Sequence, residues 1–397
     1  MTRGATQEPI EVDVEEFRQI LDQVRTFVAK EVVPRESEIA EQDAVPEDLR
    51  QSAAAMGLFG YAIPQEYGGL GLHIVQDVEL AMVFGYTTLA FRSLFGTNNG
   101  IAGQVLVGYG TEEQKERWLP QLASGECIAS FALTEPEAGS DPSGIRTTAR
   151  PGEGGGWVLN GSKRFITNAP LAGLFVTFAK VGGVDTQRIA VFLVPAHSPG
   201  VEVGPRDHKM GQQGAVTAEV TFTDVHVGDE ALVSGNVETG FRAAMTVLAR
   251  GRLHIAGVAV GLAERALEES VRHSASNRQG GAPTGDRQLV QAMLAEQKVL
   301  AFAGKTMVRE AARLYLTGED RRLAPSATKL FTTEAADRIV DLAVQVHGGS
   351  GYMRGMTVER LYRDARLLRL YEGTSEIQKL IVGRELVRRA RAEESVL

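Results

Sequence analysis

Apolar side chains recur at helical spacing near the start of the chain. Phe17, Ile20, Leu21, Val24 and Phe27 fall every three or four residues between positions 15 and 33, which predicts an amphipathic helix. Pro34 directly after Val33 predicts where it stops. The stretch 63–72 is dense in turn residues. Thr111, with Gln114 three positions later, marks the start of another helix by a capping box. Near residue 130 the period drops to two. Val216, Ala218, Val220 and Phe222 alternate with Thr217, Glu219, Thr221 and Thr223, the pattern of a half-buried strand. Residues 174–181 and 189–194 are further short apolar runs, and the glycine-rich stretch 151–156 suits a hairpin. Helical spacing returns after residue 239, where Phe241, Met245, Leu248, Arg252, Ile255, Ala259 and Leu262 form one stripe. Gly280, Gly281, Pro283 and Gly285 interrupt the chain before a helix over 286–316, and two or three more follow. The order is α, then β, then α, with expected domains 1–129, 130–233 and 234–397.

The chain has 397 residues, too many for one ordinary core. Its hydrophobic content of 43% and charged content of 23% exclude wholesale disorder. Lys plus Arg total 42 against 50 Asp plus Glu, a net charge of -8. That balance gives no bulk attraction to nucleic acid or anionic lipid, so neither nucleic acid nor membrane is an expected partner. Cys127 is the only cysteine, which excludes an intramolecular disulfide and any multi-cysteine metal or cluster site. The first nine residues carry no apolar signal core and no Arg-rich transit character. No run approaches the roughly 18 apolar residues of a bilayer span, and a cytoplasmic location is expected.

Familiar cofactor and catalytic patterns are missing. No Gly-x-Gly-x-x-Gly follows a strand; Gly349-Ser350-Gly351 lies between helical segments, with Arg354 in the third-glycine place. There is no Walker loop, no His-Glu-x-x-His and no Gly-x-Ser-x-Gly. Seven histidines are scattered without ligand spacing, so no metal is expected. Three stretches stand out. Residues 132–144 pass from a strand into a loop crowded with hydroxyls, carboxylates and glycines. By itself this loop reads as a capped turn. Residues 345–352, with four small side chains between helices, read as a tight turn or a backbone surface for pyrophosphate. In 371–377, Glu372 precedes a helix start; alone it reads as a solvated capping carboxylate.

Together these stretches resemble the acyl-CoA dehydrogenase family, over nearly the whole chain. Residues 132–144 match its first signature. Residues 345–364 match its second, with Gly348, Gly349, Gly351, Arg360 and Asp364 in place and Gly355 where an acidic residue or Asn is usual. The resemblance implies an α+β fold: an N-terminal helical domain, a middle β-barrel-like domain and a C-terminal four-helix bundle. It implies FAD held without a Rossmann motif. Phe131, Leu133, Thr134 and Ser140 match the first flavin-side strand and loop. Phe165, replacing a frequent Trp, and Thr167 match the second, and Thr374 and Glu376, within the third stretch, are implied as cofactor-binding as well. Arg278, Gln288, Gln345, Gly348 and Gly349 match residues that take the adenosine–pyrophosphate end across a subunit interface. Gly280 stands where that region usually has Phe. A homotetramer, a dimer of dimers, is implied.

For the chemistry, the resemblance implies acyl-CoA as substrate, with Ser140, Arg252 and Gly373 on the substrate side. Glu372 is implied as the base that removes the α proton while the β hydride passes to flavin N5, giving a trans-2-enoyl thioester. Some relatives place the base at the position of Gly251, which here cannot serve. The backbone N–H of Glu372 is implied as a donor to the thioester oxygen, and electron-transferring flavoprotein as the electron acceptor. Alternatives of the same fold are a dehydrogenase acting on acyl chains borne by acyl carrier protein, a flavin-dependent oxygenase, and a non-enzymatic binding protein. Arg92 matches a residue that glutaryl-CoA dehydrogenases use for a distal carboxylate. Its usual companions are Gly85 and Gly96 here, so the sequence favours a helix salt bridge for it.

Overall fold

The computed structural model describes residues 13–392, and the leader-free reading of the first nine residues lies outside them. Seven helices come first: α1 Val14–Phe27, α2 Glu36–Gln42, α3 Glu47–Ala55, α4 Ile74–Gly85, α5 Leu89–Asn99, α6 Ile101–Tyr109 and α7 Glu112–Ser124. Pro34 does not end the first helix as expected. The chain passes into a wider π turn at Val28–Val32 and a 3-10 turn at Val33–Arg35, then continues as α2. A proline lacks the N–H of a regular turn, and the loosened hydrogen-bond pattern absorbs that loss. The capping box of α7 forms as predicted: Gln114 N–H donates to Thr111 Oγ1 at 3.3 Å and Thr111 N–H to Gln114 Oε1 at 3.0 Å. Phe95 packs edge to face against Tyr61, Phe84 and Phe91 and brings α4 and α5 together.

The middle of the chain is a seven-stranded sheet. Its strands are β1 Ala129–Ala132, β2 Thr148–Pro151, β3 Trp157–Thr167, β4 Leu174–Val181, β5 Ile189–Pro195, β6 Val201–Arg206 and β7 Thr217–Val227. The order is β1-β4-β2-β3-β7-β6, with β5 beside β4. On β7 the predicted alternation holds: Ala218, Val220 and Phe222 are buried. The β3–β7 register slips between Lys163 and Ile166. Phe165 sits in that irregularity at φ 58° and is 58% exposed. The bulge thus turns one aromatic ring outward from an otherwise packed strand.

Helices resume with α8 Gly240–Ser276, followed by a short hairpin of β8 Arg278–Gln279 and β9 Ala282–Pro283. Gly280 and Gly281 turn the hairpin at φ 60° and 83°. A Phe at 280, where the family pattern usually has one, would carry left-handed strain in this turn. The bundle is completed by α9 Gln288–Thr317, α10 Leu323–His347, α11 Thr357–Leu368 and α12 Ser375–Arg391. Contrary to the sequence expectation, one 18-residue window of α8 is apolar enough, by length and composition, to cross a bilayer. Of that window 78% is buried inside the protein, so α8 is the bundle's core helix. Ile255, Val258, Ala259 and Leu262 pack there against Ile339 and Val340 of α10.

Candidate functional site

The middle of α8 faces the loop between α11 and α12. Glu372 opens that loop's turn at φ 53°, a left-handed conformation that costs a non-glycine residue energy. Side chains from two helices hold it there. Gln378 Nε2 donates to the Glu372 carbonyl at 3.2 Å and to the Gly373 carbonyl at 3.0 Å, and Lys329 Nζ donates to the Gly373 carbonyl at 2.8 Å. The turn presses the Glu372 carboxyl against Gly251, where a Cβ would collide with Oε2. The two positions from which the resemblance allows a base therefore converge on one spot, and the glycine leaves it to Glu372.

Glu372 is not the solvated cap that it suggests in isolation. Thr374 caps α12 instead, its Oγ1 accepting from Ile377 N–H at 3.3 Å. Part of Glu372 as a residue reaches solvent, but its Oε2 is shielded and has no hydrogen-bond partner among the described residues. Burial pushes its pKa above the ordinary carboxylate value; Arg92, Lys329 and Arg252 oppose the rise and Asp77 adds to it. Arg252 is buried as well. Its Nη1 reaches Ser326 Oγ at 3.4 Å, its Nε is unpartnered among the described residues, and burial lowers its pKa. The backbone N–H groups of Glu372 and Gly373 make no hydrogen bond among the described residues. A carboxylate in a dry pocket, unengaged donors beside it and nearby positive charge suit proton removal next to a carbonyl whose oxygen gains charge.

Among the described residues Arg92 makes no helix salt bridge, against the sequence expectation. Its Nε donates to His254 Nε2 at 2.9 Å, and His254 Nδ1 meets Asp77 Oδ1 at 2.7 Å. Burial lowers the His254 pKa, so the neutral ring donates to Asp77 and accepts from Arg92. Arg92 is thereby held with its charge toward Glu372.

The β-domain candidates form a second group. Phe131 on β1 packs at a tilt against Phe178 with ring centroids 4.8 Å apart, and Leu133 is buried. The Thr134 carbonyl accepts from Arg164 N–H at 2.9 Å, and the Thr167 carbonyl from Ser130 Oγ at 2.8 Å. Ser140 is exposed on the loop. Asn168, just past β3, donates to the Ser93 carbonyl at 2.8 Å and to Thr97 Oγ1 at 3.1 Å. Both acceptors lie on α5, the helix that carries Arg92. This clamp joins the outward-facing Phe165 edge to the element that borders Glu372.

A third group lies at the far end of the bundle. The imidazoles of His273 and His347 stack with centroids 4.1 Å apart and bring the last turns of α8 and α10 together. Gln345, Gly348 and Gly349 are exposed there; a Cβ at either glycine would meet open space. Arg278, on the hairpin, is exposed with Nη2 on the Gly281 carbonyl at 2.7 Å, and Gln288 opens α9. Along α8, Arg252 and Ser276 are separated by roughly 36 Å at 1.5 Å per residue. One chain therefore does not bring this group to Glu372. Thr374 and Glu376 stay beside Glu372, with Glu376 exposed at the start of α12.

Sequence reasoning missed Lys329, Gln378, Asp77 and His254. It also missed the buried pair Lys163–Glu135, 2.7 Å apart under the first signature loop. Lys163 falls among inward positions of β3, a signal that was available; the helical lysine and aspartate carry none.

Three family models cover the chain: "Acyl-CoA dehydrogenase, N-terminal domain" over residues 14–126, the "middle domain" over 130–225 and the "C-terminal domain" over 238–387. An acyl-CoA dehydrogenase of Bacillus subtilis is 36% identical over 365 residues, covering 92% of this chain and 96% of its own. A subunit of a caffeyl-CoA reductase-Etf complex of Acetobacterium woodii is 35% identical over 381 residues, 94% of this chain and 99% of its own. Among solved structures, a glutaryl-CoA dehydrogenase of Mycobacterium smegmatis in complex with FADH2 superposes with a TM-score of 0.88 at 30% identity, covering 96% of both chains.

Proposed function

The chain belongs to the acyl-CoA dehydrogenase family, oxidoreductases that act on acyl-CoA, and we propose that it introduces the α,β double bond of an acyl-CoA thioester with Glu372 as base. The observation that carries this reading is the shielded, unpartnered Oε2 of Glu372 against Gly251. The cofactor is FAD. The residues present fit it: Phe165 offers an outward aromatic face, and Gly348 and Gly349 leave backbone open for phosphate. Phe131, Leu133, Thr134, Ser140, Phe165 and Thr167 would hold the ring side, with Thr374 and Glu376 beside it. Arg278, Gln288, Gln345, Gly348 and Gly349 would hold the adenosine–pyrophosphate end of a second copy's cofactor. Bound FAD supplies the two-electron acceptor for the β hydride.

The chain's own residues do the rest. Glu372 takes the α proton; burial makes its carboxylate a stronger base than one in water. The free N–H of Glu372 faces the developing charge on the thioester oxygen, where a fixed donor contributes most. Arg252, Lys329 and Arg92 keep enough positive charge nearby for the carboxylate to ionise. Exclusion of water strengthens each of these interactions. Electron-transferring flavoprotein is the proposed acceptor of the electrons, in line with the Etf complex of the relative above.

A homotetramer built as a dimer of dimers is proposed as well. It is supported by the ~36 Å separation within one chain and by Leu289, Val299 and Phe302, exposed along α9. Anaerobic titration of the purified protein with a panel of acyl-CoA and carrier-protein thioesters tests the activity. Bleaching of the flavin by CoA thioesters is expected. Bleaching only by carrier-protein thioesters, or rapid oxygen use with a hydroxylated product, would move the assignment to those alternatives.

Arg92 favours a second reading of the substrate. Its guanidinium pairs with no carboxylate among the described residues and bears on Glu372, so an acyl tail ending in a carboxylate would complete it. Glutaryl-CoA is then a substrate. Arg92→Ala is expected to lower kcat/KM for glutaryl-CoA about 100-fold, the cost of a lost charge-assisted contact, while an uncharged acyl-CoA of equal length, assayed at a pH above the acidic limb, loses far less, only what the missing charge beside Glu372 costs. Equal losses on both substrates would remove this reading.

A further inference from the structure

We propose that Lys329 of α10 is a positioning residue for Glu372, one whose ammonium, beyond steadying the turn, keeps the Glu372 carboxylate ionised in its dry pocket. This rests on Glu372 being the base.

Lys329 is fully buried and makes one hydrogen bond among the described residues, to the Gly373 carbonyl at 2.8 Å. A buried ammonium with one acceptor is costly, so its charge needs another partner. Of the carboxylates that bear on it, Glu334 is already paired with Arg369 at 2.9 Å and with Ser375 Oγ, and Glu376 is exposed. Glu372 remains; it is the largest favourable charge felt by Lys329, and Arg252 opposes it. The strut itself is duplicated, because Gln378 donates to the same Gly373 carbonyl at 3.0 Å. A neutral donor therefore suffices to fix the turn. Only the ammonium adds a field.

The charged groups that face Glu372 are Arg92 from α5, Arg252 from α8, Lys329 from α10 and Asp77 from α4. Arg92 is committed to His254 through its Nε, and Arg252 to Ser326 through a long contact. Burial brings the Lys329 pKa down to about 8, with Glu372 holding it up. By reciprocity, the protonated Lys329 holds the Glu372 pKa down by a like amount.

Lys329→Gln separates strut from charge, since the amide can still donate to Gly373. The readout is the Glu372 carboxyl itself, followed in the holoenzyme by pH-dependent infrared difference spectra as the carboxyl band absent from Glu372→Gln. In Lys329→Gln that band is expected to titrate higher than in wild type by roughly one pH unit or more, and the acidic limb of kcat/KM to move with it. Lys329→Arg, which keeps the charge, is expected to return most of the shift. A wild-type titration in Lys329→Gln, or one that Gln378→Ala moves just as far, would overturn the proposal. If Lys329→Gln does not fold, lysine-labelled NMR of wild type and Glu372→Gln decides: the Lys329 pKa falls further once the carboxylate is gone, and an unmoved value overturns the proposal. Neither titration requires turnover. A protein that reduces its flavin with no thioester would refute the function while leaving these measurements able to judge Lys329.

Discussion

Glu372→Gln leaves a folded, flavin-loaded protein whose flavin is reduced by acyl-CoA about 10³- to 10⁴-fold more slowly than in wild type, at the upper end of what general-base removal costs. The amide keeps the shape of the side chain and cannot take a proton. No second carboxylate can stand in, because the facing position is Gly251 and Asp77 is engaged by Arg250 and His254. Rapid-mixing reduction under anaerobic conditions reads the effect, with flavin content as the control for folding. A variant within tenfold of wild type would remove Glu372 from the chemistry. The pH profile carries a second mark. Proton removal needs the carboxylate, and burial places the Glu372 pKa above the usual 4.5. The acidic limb of wild-type kcat/KM therefore lies above pH 4.5 and is absent from the residual rate of the variant.

Periodicity alone was enough for the α–β–α order, because spacing of three to four and spacing of two each leave a mark on the chain. The alternation from Val216 to Phe222 and the cap at Thr111 are local, and both are found in the structure. Pro34 misled because a π turn ending two residues earlier absorbed its missing donor. The apolar run of α8 escaped notice because Arg250, Arg252 and His254 interrupt it. The candidate residues were legible only through the family patterns. Nothing in Tyr371-Glu372-Gly373 distinguishes a base from a cap until Gly251, 121 positions away by numbering, is seen against the carboxyl. The supporting charges were not legible at all. Lys329, Asp77 and His254 lie in helices whose patterns read equally well with them on a polar face. Their burial arises from tertiary packing of α4, α8 and α10, which one sequence does not spell out.

The charge cluster behind the site leads to the second large effect, on stability. Asp77→Asn is expected to lower unfolding stability by about 3–5 kcal/mol at neutral pH, the usual cost of removing one partner of a buried pair. Asp77 is fully buried. Its Oδ1 takes Tyr61 Oη at 3.1 Å and His254 Nδ1 at 2.7 Å, and its Oδ2 lies 2.7 Å from Arg250 Nη1. Burial by itself would raise its pKa; Arg250 and then His254 outweigh that and bring it to about 2. The sign follows from linkage. A carboxylate whose folded pKa lies below its unfolded 3.8 contributes stability that is complete above 3.8 and is lost as pH falls through 2. The difference amounts to about 2–3 kcal/mol. Wild type should therefore lose stability across that window, and Asp77→Asn, already without the contribution, should show a flatter acid limb. Denaturant midpoints at pH 7 and between roughly pH 4 and 2 measure both. A loss under about 1 kcal/mol with an unchanged acid limb would mean that Arg250 and His254 find other partners. The consequence reaches the substrate side, because Asp77 fixes the proton of His254 on Nδ1 and leaves Nε2 to accept from Arg92. An asparagine amide can present its N–H to that ring instead. His254 then changes tautomer, Arg92 loses its acceptor, and selectivity between charged and neutral acyl tails weakens together with the fold.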